Sequence, residues 1–152
     1  MTPYDDAMRA ALGEARAALD SADVPIGAVV LDATGSVIGR GRNVRERDSD
    51  PTGHAEMLAI REAAASVGEW RLTGCTLVVT LEPCTMCAGA IVLARLDRLV
   101  FAAYDDKAGA VGSLWDVVRD RRLNHRPEVV AGVLAEESRT LLDDFFAHQR
   151  LG

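Results

Sequence analysis

Two short motifs place metal-binding and acid–base side chains in this chain of 152 residues. The first is His54-Ala55-Glu56, and the second is Pro83-Cys84-Thr85-Met86-Cys87. Imidazole and thiolate are ligands that Zn²⁺ prefers, and three protein ligands leave the fourth tetrahedral position open for water or substrate. His54, Cys84 and Cys87 are therefore predicted to hold one catalytic zinc ion.

Glu56 supplies the acid–base group that a hydrolytic metal site needs besides its ligands. A metal ion lowers the pKa of a bound water to near neutrality, and a nearby carboxylate can take the released proton. Glu56 stands two residues beyond His54, close enough to reach such a water without being a ligand. A redox pair formed by Cys84 and Cys87 is the competing interpretation, but it has no need for His54 and Glu56.

The bulk composition excludes several classes of protein. Hydrophobic residues make up 49% of the chain and charged residues 26%, which is usual for a soluble globular protein that needs no disulfides to bury a core. No apolar run approaches the roughly 18 residues of a membrane span, and the polar, acidic start of the chain lacks the features of a secretory signal. We therefore expect one domain, residues 1–152, located in the cytoplasm and not at a membrane.

The net charge of −6 disfavours a general nucleic-acid binder, since such proteins are usually basic. Positive side chains are nevertheless crowded into two segments, 40–47 and 119–126. Local basic loops on an acidic protein are able to hold one particular nucleic acid, although solvated surface loops are the simpler interpretation.

Apolar periodicity and turn residues predict an α/β fold with a central mixed sheet and helices on both faces. The predicted strands are 24–31, 36–42, 76–81, 98–102 and 129–132. The predicted helices are 4–20, 54–67, 84–94, 113–119 and 135–148. Two of these helices begin at the candidate ligands, where open α/β sheets place their binding sites. The side chains expected in the core of the second and last helices are Met57, Leu58, Ile60, Leu141, Leu142, Phe145 and Phe146.

Several segments resemble the bacterial tRNA adenosine deaminases of the cytidine deaminase-like superfamily, and the resemblance covers nearly the whole chain. The similar segments are 24–29, 50–56, 80–90, 107–113, 124–126 and 141–146. The pairing of His-x-Glu with Pro-Cys-x-x-Cys is typical of zinc deaminases that act on a flipped base. The resemblance implies a three-layer α/β/α cytidine deaminase-like fold with a five-stranded sheet. It also implies a homodimer with one Zn²⁺ per subunit that converts adenosine to inosine at the wobble position of a tRNA anticodon, with arginine tRNA the expected substrate.

By the same resemblance, zinc-bound hydroxide attacks carbon 6 of adenine and Glu56 shuttles the protons. Asn43 is expected to hydrogen-bond the nucleoside, although an Asn at a strand end also forms turns. The further candidates for substrate contact include apolar pocket walls, loop residues near flanking nucleotides and basic residues near phosphates. They are Pro25, Ile26, Val29, Leu81, Asp105, Lys107, Arg121, Arg122, His125, Arg126 and Phe146. For the apolar wall candidates Pro25, Ile26, Val29 and Leu81, simple core packing is the alternative.

Two other functions share parts of this pattern. A deaminase of a free base or nucleoside (guanine, cytosine, cytidine or adenosine) would have the same metal site, and the acidic net charge favours it mildly. Asn124-His125-Arg126 and the Phe145-Phe146 pair favour the tRNA substrate instead. A zinc-stabilised binding protein without activity would be expected to lack Glu56, which is present.

Overall fold

A computed structural model describes residues 1–151 of the chain, with five strands in one sheet and four α-helices. The strands are β1 (Gly27–Leu31), β2 (Val37–Arg42), β3 (Thr76–Leu81), β4 (Arg98–Ala103) and β5 (Glu128–Ala131). The helices are α1 (Asp5–Ala18), α2 (Ala55–Val67), α3 (Thr85–Leu93) and α4 (Ala135–Leu151). None of the helices within residues 1–151 combines the length and apolar character needed to cross a bilayer.

The sheet is mixed, as predicted, and its strand order is β2-β1-β3-β4-β5. β1 runs antiparallel to both β2 and β3, whereas β3, β4 and β5 are parallel to one another. Side chains of alternate strand residues point to opposite faces. One face packs against α2 and α3, and the other packs against α1 and α4. The predicted three-layer α/β/α architecture is therefore confirmed.

The packing of α2 against β2 differs from the prediction that the larger apolar side chains of α2 are its core residues. Met57, Leu58 and Ile60 are only half-buried, whereas α2 buries a stripe of small side chains, Ala55, Ala59 and Ala63, completely. The stripe lies directly against Gly39 and Gly41 of β2: a Cβ atom at Gly41 would lie 2.1 Å from the Ala55 carbonyl oxygen. Glycines facing alanines let the helix backbone approach the sheet very closely, so the larger side chains are only partly buried, with Ile60 packed against the edge of the core.

Two predicted elements were wrong in extent or in kind. The first strand begins at Gly27 instead of residue 24, because Pro25 has no N–H for a ladder and the Ile26 N–H donates to the Val24 carbonyl in a local turn. The predicted helix 113–119 is absent from the described chain. Instead, the Gly112 N–H donates to the Trp115 carbonyl, and Val111 pairs with Asp116 in an isolated bridge.

The last helix, α4, packs less deeply than its apolar face predicts. Leu142 is buried and Leu141 is partly buried against the core, but Phe145 is half-buried and Phe146 is 43% exposed. The buried Ser138 hydroxyl donates to the Thr80 carbonyl at the end of β3. The first turns of α4 are thus fixed to the sheet, whereas Phe145 and Phe146 in its second half leave an aromatic surface accessible.

Candidate active site and metal centre

The metal-ligand candidates meet where β3 ends and where α2 and α3 begin. His54 is the residue before α2, and Cys84 is the residue before α3; both have extended backbone conformations. Cys87 lies in the first turn of α3, so the Cys-x-x-Cys spacing places both sulfurs on the same side of the helix start. The strand β3 and these two helix starts bring together two motifs that are distant in sequence.

The geometry of the three side chains fits a tetrahedral zinc ion. The His54 Nδ1 atom lies 3.6 Å from the Cys84 Sγ atom and 3.5 Å from the Cys87 Sγ atom. All three candidate ligand atoms lie within 4.8 Å of one another. Zinc bonds of about 2.0–2.1 Å to nitrogen and 2.3 Å to sulfur, at tetrahedral angles, require a nitrogen–sulfur separation of about 3.5 Å. His54 would therefore bind zinc through Nδ1.

The electrostatics of the two cysteines also favours a divalent cation. Hydrogen bonds from Cys87 and His54 lower the pKa of the Cys84 thiol to about 4. The neighbouring Cys84 and burial raise the pKa of Cys87 far above its ordinary value. The pair on its own therefore holds one thiolate, since two adjacent negative sulfurs repel each other. A Zn²⁺ ion removes this conflict because it stabilises both thiolates as ligands.

Glu56 is buried beside these ligands, with only 4% of its surface exposed. It lies in the first turn of α2. Burial raises the pKa of its carboxyl group to about 7. A carboxyl group with a pKa near the working pH is able both to accept and to return a proton, which is what a general acid–base catalyst must do.

A cavity of about 1240 Å³ opens next to the metal-ligand group. Its walls come from the segments before β1, after β2, β3 and β4, and from α4. His54, Glu56 and Cys84 face this cavity. Six of the residues predicted to contact substrate also line it: Ile26, Asn43, Leu81, Asp105, Lys107 and Phe146.

Asn43 forms a turn and also lines the cavity, and its expected hydrogen bond to a nucleoside stays a prediction. Its Oδ1 accepts a hydrogen bond from the Arg45 N–H, and its Nδ2 donates to the Val24 carbonyl oxygen. The amide nitrogen carries two hydrogens, so one of them remains for a ligand. The turn therefore fixes the orientation of Asn43 at the cavity wall.

Two of the predicted wall residues lie elsewhere. Val29 is fully buried in the cluster between the sheet and α1, on the face opposite to α2 and α3. Its neighbours Ala28 and Val30 point toward α2, and strand alternation therefore directs Val29 away from the site. Pro25 is buried and does not line the cavity.

The predicted phosphate-binding residues are also outside the cavity. The His125 ring Nε2 bonds to the Leu96 carbonyl, just before the amino end of β4, whereas the metal-ligand group lies at the carboxyl end of β3. The three arginines among these predicted residues are exposed: Arg121, Arg122 and Arg126. Arg122 pairs with the Asp120 carboxylate at 2.6 Å. His125 therefore lies near the opposite end of the parallel strands from the metal-ligand group.

Sequence reasoning missed most of the cavity wall that α4 provides. Eight residues of α4 line the cavity, and six of them follow one another at helical spacing: Arg139, Leu142, Asp143, Phe146, Ala147 and Arg150; Asp144 and Gln149 are the other two. The signal that could have found them is this same three-and-four spacing around Phe146, read as a ligand-facing stripe instead of a core stripe. Arg139 also fixes the helix, because its guanidinium donates to the Tyr104 carbonyl after β4.

Comparison with known proteins supports a zinc site at these residues. The model of the cytidine and deoxycytidylate deaminase zinc-binding region matches residues 1–103, and the chain belongs to this family. The match covers both the His54-Ala55-Glu56 motif and the Cys84–Cys87 pair. The family and the zinc cofactor predicted from the two motifs are thereby confirmed.

Individual relatives of the chain narrow the comparison from the family to particular enzymes. The chain is 47% identical to the tRNA-specific adenosine deaminase of Bacillus subtilis over 150 residues, which cover 99% of this chain and 92% of that protein. A structure from a study of A-to-I editing by tRNA:A34 deaminases at the wobble position of transfer RNA is 44% identical. It superposes with a TM-score of 0.86 over 90% of this chain and 99% of the other. A guanine deaminase from Nitrosomonas europaea is 26% identical, with a TM-score of 0.81 over 97% and 86% of the two chains.

Proposed function

We propose that this protein is a zinc-dependent enzyme that hydrolyses adenosine to inosine at the wobble position of a tRNA anticodon. The observation that carries the proposal is the near-complete match, at 47% identity, to a tRNA-specific adenosine deaminase. The guanine deaminase structure also overlaps nearly the whole of this chain, but its sequence identity is much lower, at 26%. Both kinds of relative have a deaminase fold, so the difference in sequence identity decides between them, and the cavity walls add a second argument.

The chemistry is divided among a few residues. When bound by His54, Cys84 and Cys87, zinc supplies the acidity that makes a water nucleophilic at neutral pH. Glu56 would take one proton from the attacking water and deliver it to a ring nitrogen. It would then carry the second proton, from the hydroxyl group added to the base, to the amino group that departs as ammonia, and its raised pKa allows both transfers. Asn43 holds the nucleoside through its remaining amide hydrogen.

The shape of the cavity supports a polymeric substrate over a free base. Its volume of about 1240 Å³ exceeds the ~300–1,000 Å³ of most small-molecule pockets. Ile26, Leu81, Lys107 and Phe146 all line it. An enzyme for a free base has no use for the additional volume, whereas a nucleotide in an anticodon loop has neighbours on both sides. Single-stranded loop bases are also inexpensive to flip.

The remaining parts of the proposal concern partners and location. The exposed Arg121 and Arg126 would attract tRNA phosphates outside the cavity. Large apolar side chains that a homodimer could bury are exposed, among them Trp70, Leu93 and Trp115. We expect residues 1–152 to act as one domain, since every helix packs on the same sheet. We expect arginine tRNA as substrate and the cytoplasm as location.

Inosine formation on synthetic anticodon stem-loops tests the function directly. The purified zinc-loaded protein would be given an arginine-tRNA stem-loop with adenosine at the wobble position. Matched stem-loops would carry the adenosine one position away, and free adenosine, cytidine and guanine would be assayed in parallel. We expect turnover only on the wobble adenosine. Turnover on guanine or a free nucleoside, without turnover on the stem-loop, would keep the zinc chemistry and replace the tRNA substrate.

A further inference from the structure

Glu82 has a buried carboxylate that the deamination chemistry does not use. It follows β3 directly, two residues before the ligand Cys84, and only 2% of its surface is exposed. Burial of a carboxylate is costly unless hydrogen bonds compensate for the lost water. The structure shows that the compensation comes entirely from one segment, the loop 105–113 that follows β4.

Four hydrogen bonds join the Glu82 carboxylate to this loop. Oε1 accepts from the Asp105 N–H at 2.9 Å and from the Ser113 hydroxyl at 2.5 Å. Oε2 accepts from the Val111 N–H at 2.9 Å and from the Ser113 N–H at 3.1 Å. The carboxylate therefore holds the loop at both of its ends, near residue 105 and near residues 111 and 113.

Close packing restricts the middle of the loop as well. A Cβ atom at Gly109 would lie 2.3 Å from the Glu82 Cδ atom and 2.4 Å from its Oε1 atom, so only glycine fits there. The next N–H, that of Ala110, donates to the Pro83 carbonyl at 2.8 Å. The loop thus lies directly on the chain segment that connects β3 to the first cysteine ligand.

The part of the loop between its fixed ends lines the cavity. Asp105, Asp106, Lys107 and Ala108 all face the cavity. We propose that Glu82 is a positioning residue that fixes the loop 105–113 as the substrate-binding wall of the active site. This inference rests on the proposed function only in requiring that the substrate occupies the cavity.

Glu82→Gln changes the hydrogen bonds between this side chain and the loop without changing the size of the side chain. An amide has one acceptor oxygen and one donor NH₂ group, so it cannot satisfy three backbone N–H groups. The favourable orientation places the amide oxygen toward Val111 and Ser113 and the NH₂ group toward Asp105, since the Ser113 hydroxyl is able to rotate and accept. The Asp105 N–H then loses its acceptor, and the loop is released first at the end nearest Asp105.

The experiment compares Glu82→Gln with Asp32→Asn as a matched control. The Asp32 carboxylate accepts two backbone N–H bonds and one hydroxyl bond in the β1–β2 turn, at the other end of the sheet from the cavity. Hydrogen–deuterium exchange would be measured on the peptide containing residues 105–113, together with zinc content and the KM and kcat for the wobble stem-loop. Ser113→Ala, which removes one donor and keeps the carboxylate, is the milder variant.

We expect Glu82→Gln to bind one zinc per chain and to exchange the 105–113 amides at least about tenfold faster than wild type. Its KM should rise about tenfold while kcat stays within about threefold, because a displaced wall weakens binding more than chemistry. Asp32→Asn should change none of these quantities. Ser113→Ala should show the same pattern with a smaller rise in KM.

Three results would overturn the inference. One is faster loop exchange in Glu82→Gln with KM and kcat both unchanged, which would make Glu82 purely structural. Another is a fall in kcat with KM and loop exchange unchanged, which would place its effect on the chemistry. The third result concerns the case in which Glu82→Gln fails to fold. The inference would then be overturned if Ser113→Ala left both the exchange of the 105–113 amides and the KM unchanged. If wild-type protein does not deaminate the stem-loop, the proposed function fails, while the exchange measurement still tests the contact.

Discussion

Gly41→Ala should destabilise the protein and impair the active site together, because Gly41 lies where β2 contacts α2. A Cβ atom there would lie 2.1 Å from the Ala55 carbonyl oxygen and 2.7 Å from the Ala59 nitrogen. Both are helix backbone atoms, so no side-chain rotation relieves the overlap. Ordinary van der Waals contact begins near 3.4 Å, and α2 must therefore move away from β2 by about 1 Å or more.

The size of the effect follows from this displacement. Overpacking of a core typically costs about 1–3 kcal/mol, and a rigid backbone overlap belongs at the upper end, about 3 kcal/mol. For a chain of this size that corresponds to a melting temperature lower by about 6–12 °C. Because α2 begins next to His54 and carries Glu56 in its first turn, a shift of about 1 Å should also lower kcat/KM by about 100-fold.

Gly13→Ala is the matched control, since it also adds one methyl group to a glycine. Gly13 is exposed in the interior of α1, and a Cβ atom there would meet no atom within 4 Å. Alanine is favoured over glycine inside a helix, so this variant should be more stable by about 0.5–1 kcal/mol and fully active. Urea unfolding, thermal melting and stem-loop deamination would be measured on both proteins. A Gly41→Ala protein that melts within about 2 °C of wild type with full activity would refute the close-packing argument.

Four further outcomes are expected. Glu56→Gln should keep its fold and zinc but lose at least about 100-fold in kcat; substantial turnover in zinc-loaded protein would remove Glu56 from its role. Cys87→Ala should bind less than one zinc per chain by elemental analysis, and full zinc content would contradict its assignment as a ligand. Asp32 accepts hydrogen bonds from the Thr34 hydroxyl and from backbone N–H groups, which hold its pKa below the ordinary value. Its stabilising contribution is therefore present above that ordinary pKa and is lost as the pH falls through the lowered one. The urea midpoint of wild type should exceed that of Asp32→Asn by more at pH 6 than at pH 3, and an equal difference would refute the assignment. Arg121→Ala should weaken tRNA binding and reduce its salt dependence by about one unit of slope, and an unchanged slope would show that Arg121 contacts no phosphate.

The parts of the molecule that were predictable are those fixed by local sequence. The strand sequences have alternating or continuous apolar residues, and turn residues such as those of 32–35 mark their ends. Four of the five strands therefore begin within about one residue of the prediction. The ligands were predictable because His54 and the Cys84–Cys87 pair each occur within a short motif at a helix start. Neither inference needed knowledge of which helix packs on which strand.

The parts that were mispredicted depend on partners distant in sequence. Apolar size predicted Met57, Leu58 and Ile60 as the core of α2. Only Ile60 packs against the core, and it is partly buried, because Gly39 and Gly41 on β2 face the alanines of α2 and the register between β2 and α2 is a tertiary property. The 113–119 segment has helix-compatible residues, yet the Ser113 N–H and hydroxyl donate to Glu82 instead of remaining available to a helix. In each case a long-range contact overrode the local preference.

This division explains why the metal-ligand group was easier to predict than the cavity around it. The three ligands and Glu56 come from two contiguous motifs. The cavity, in contrast, has walls contributed by the turn after β2, by the loop 105–113 and by one face of α4. Each wall is held by a tertiary hydrogen bond: Asn43 to the Val24 carbonyl, Glu82 to the loop, and Arg139 to the Tyr104 carbonyl. A change of substrate within this fold therefore requires changes in those walls and their supports, while the zinc ligands and Glu56 stay the same.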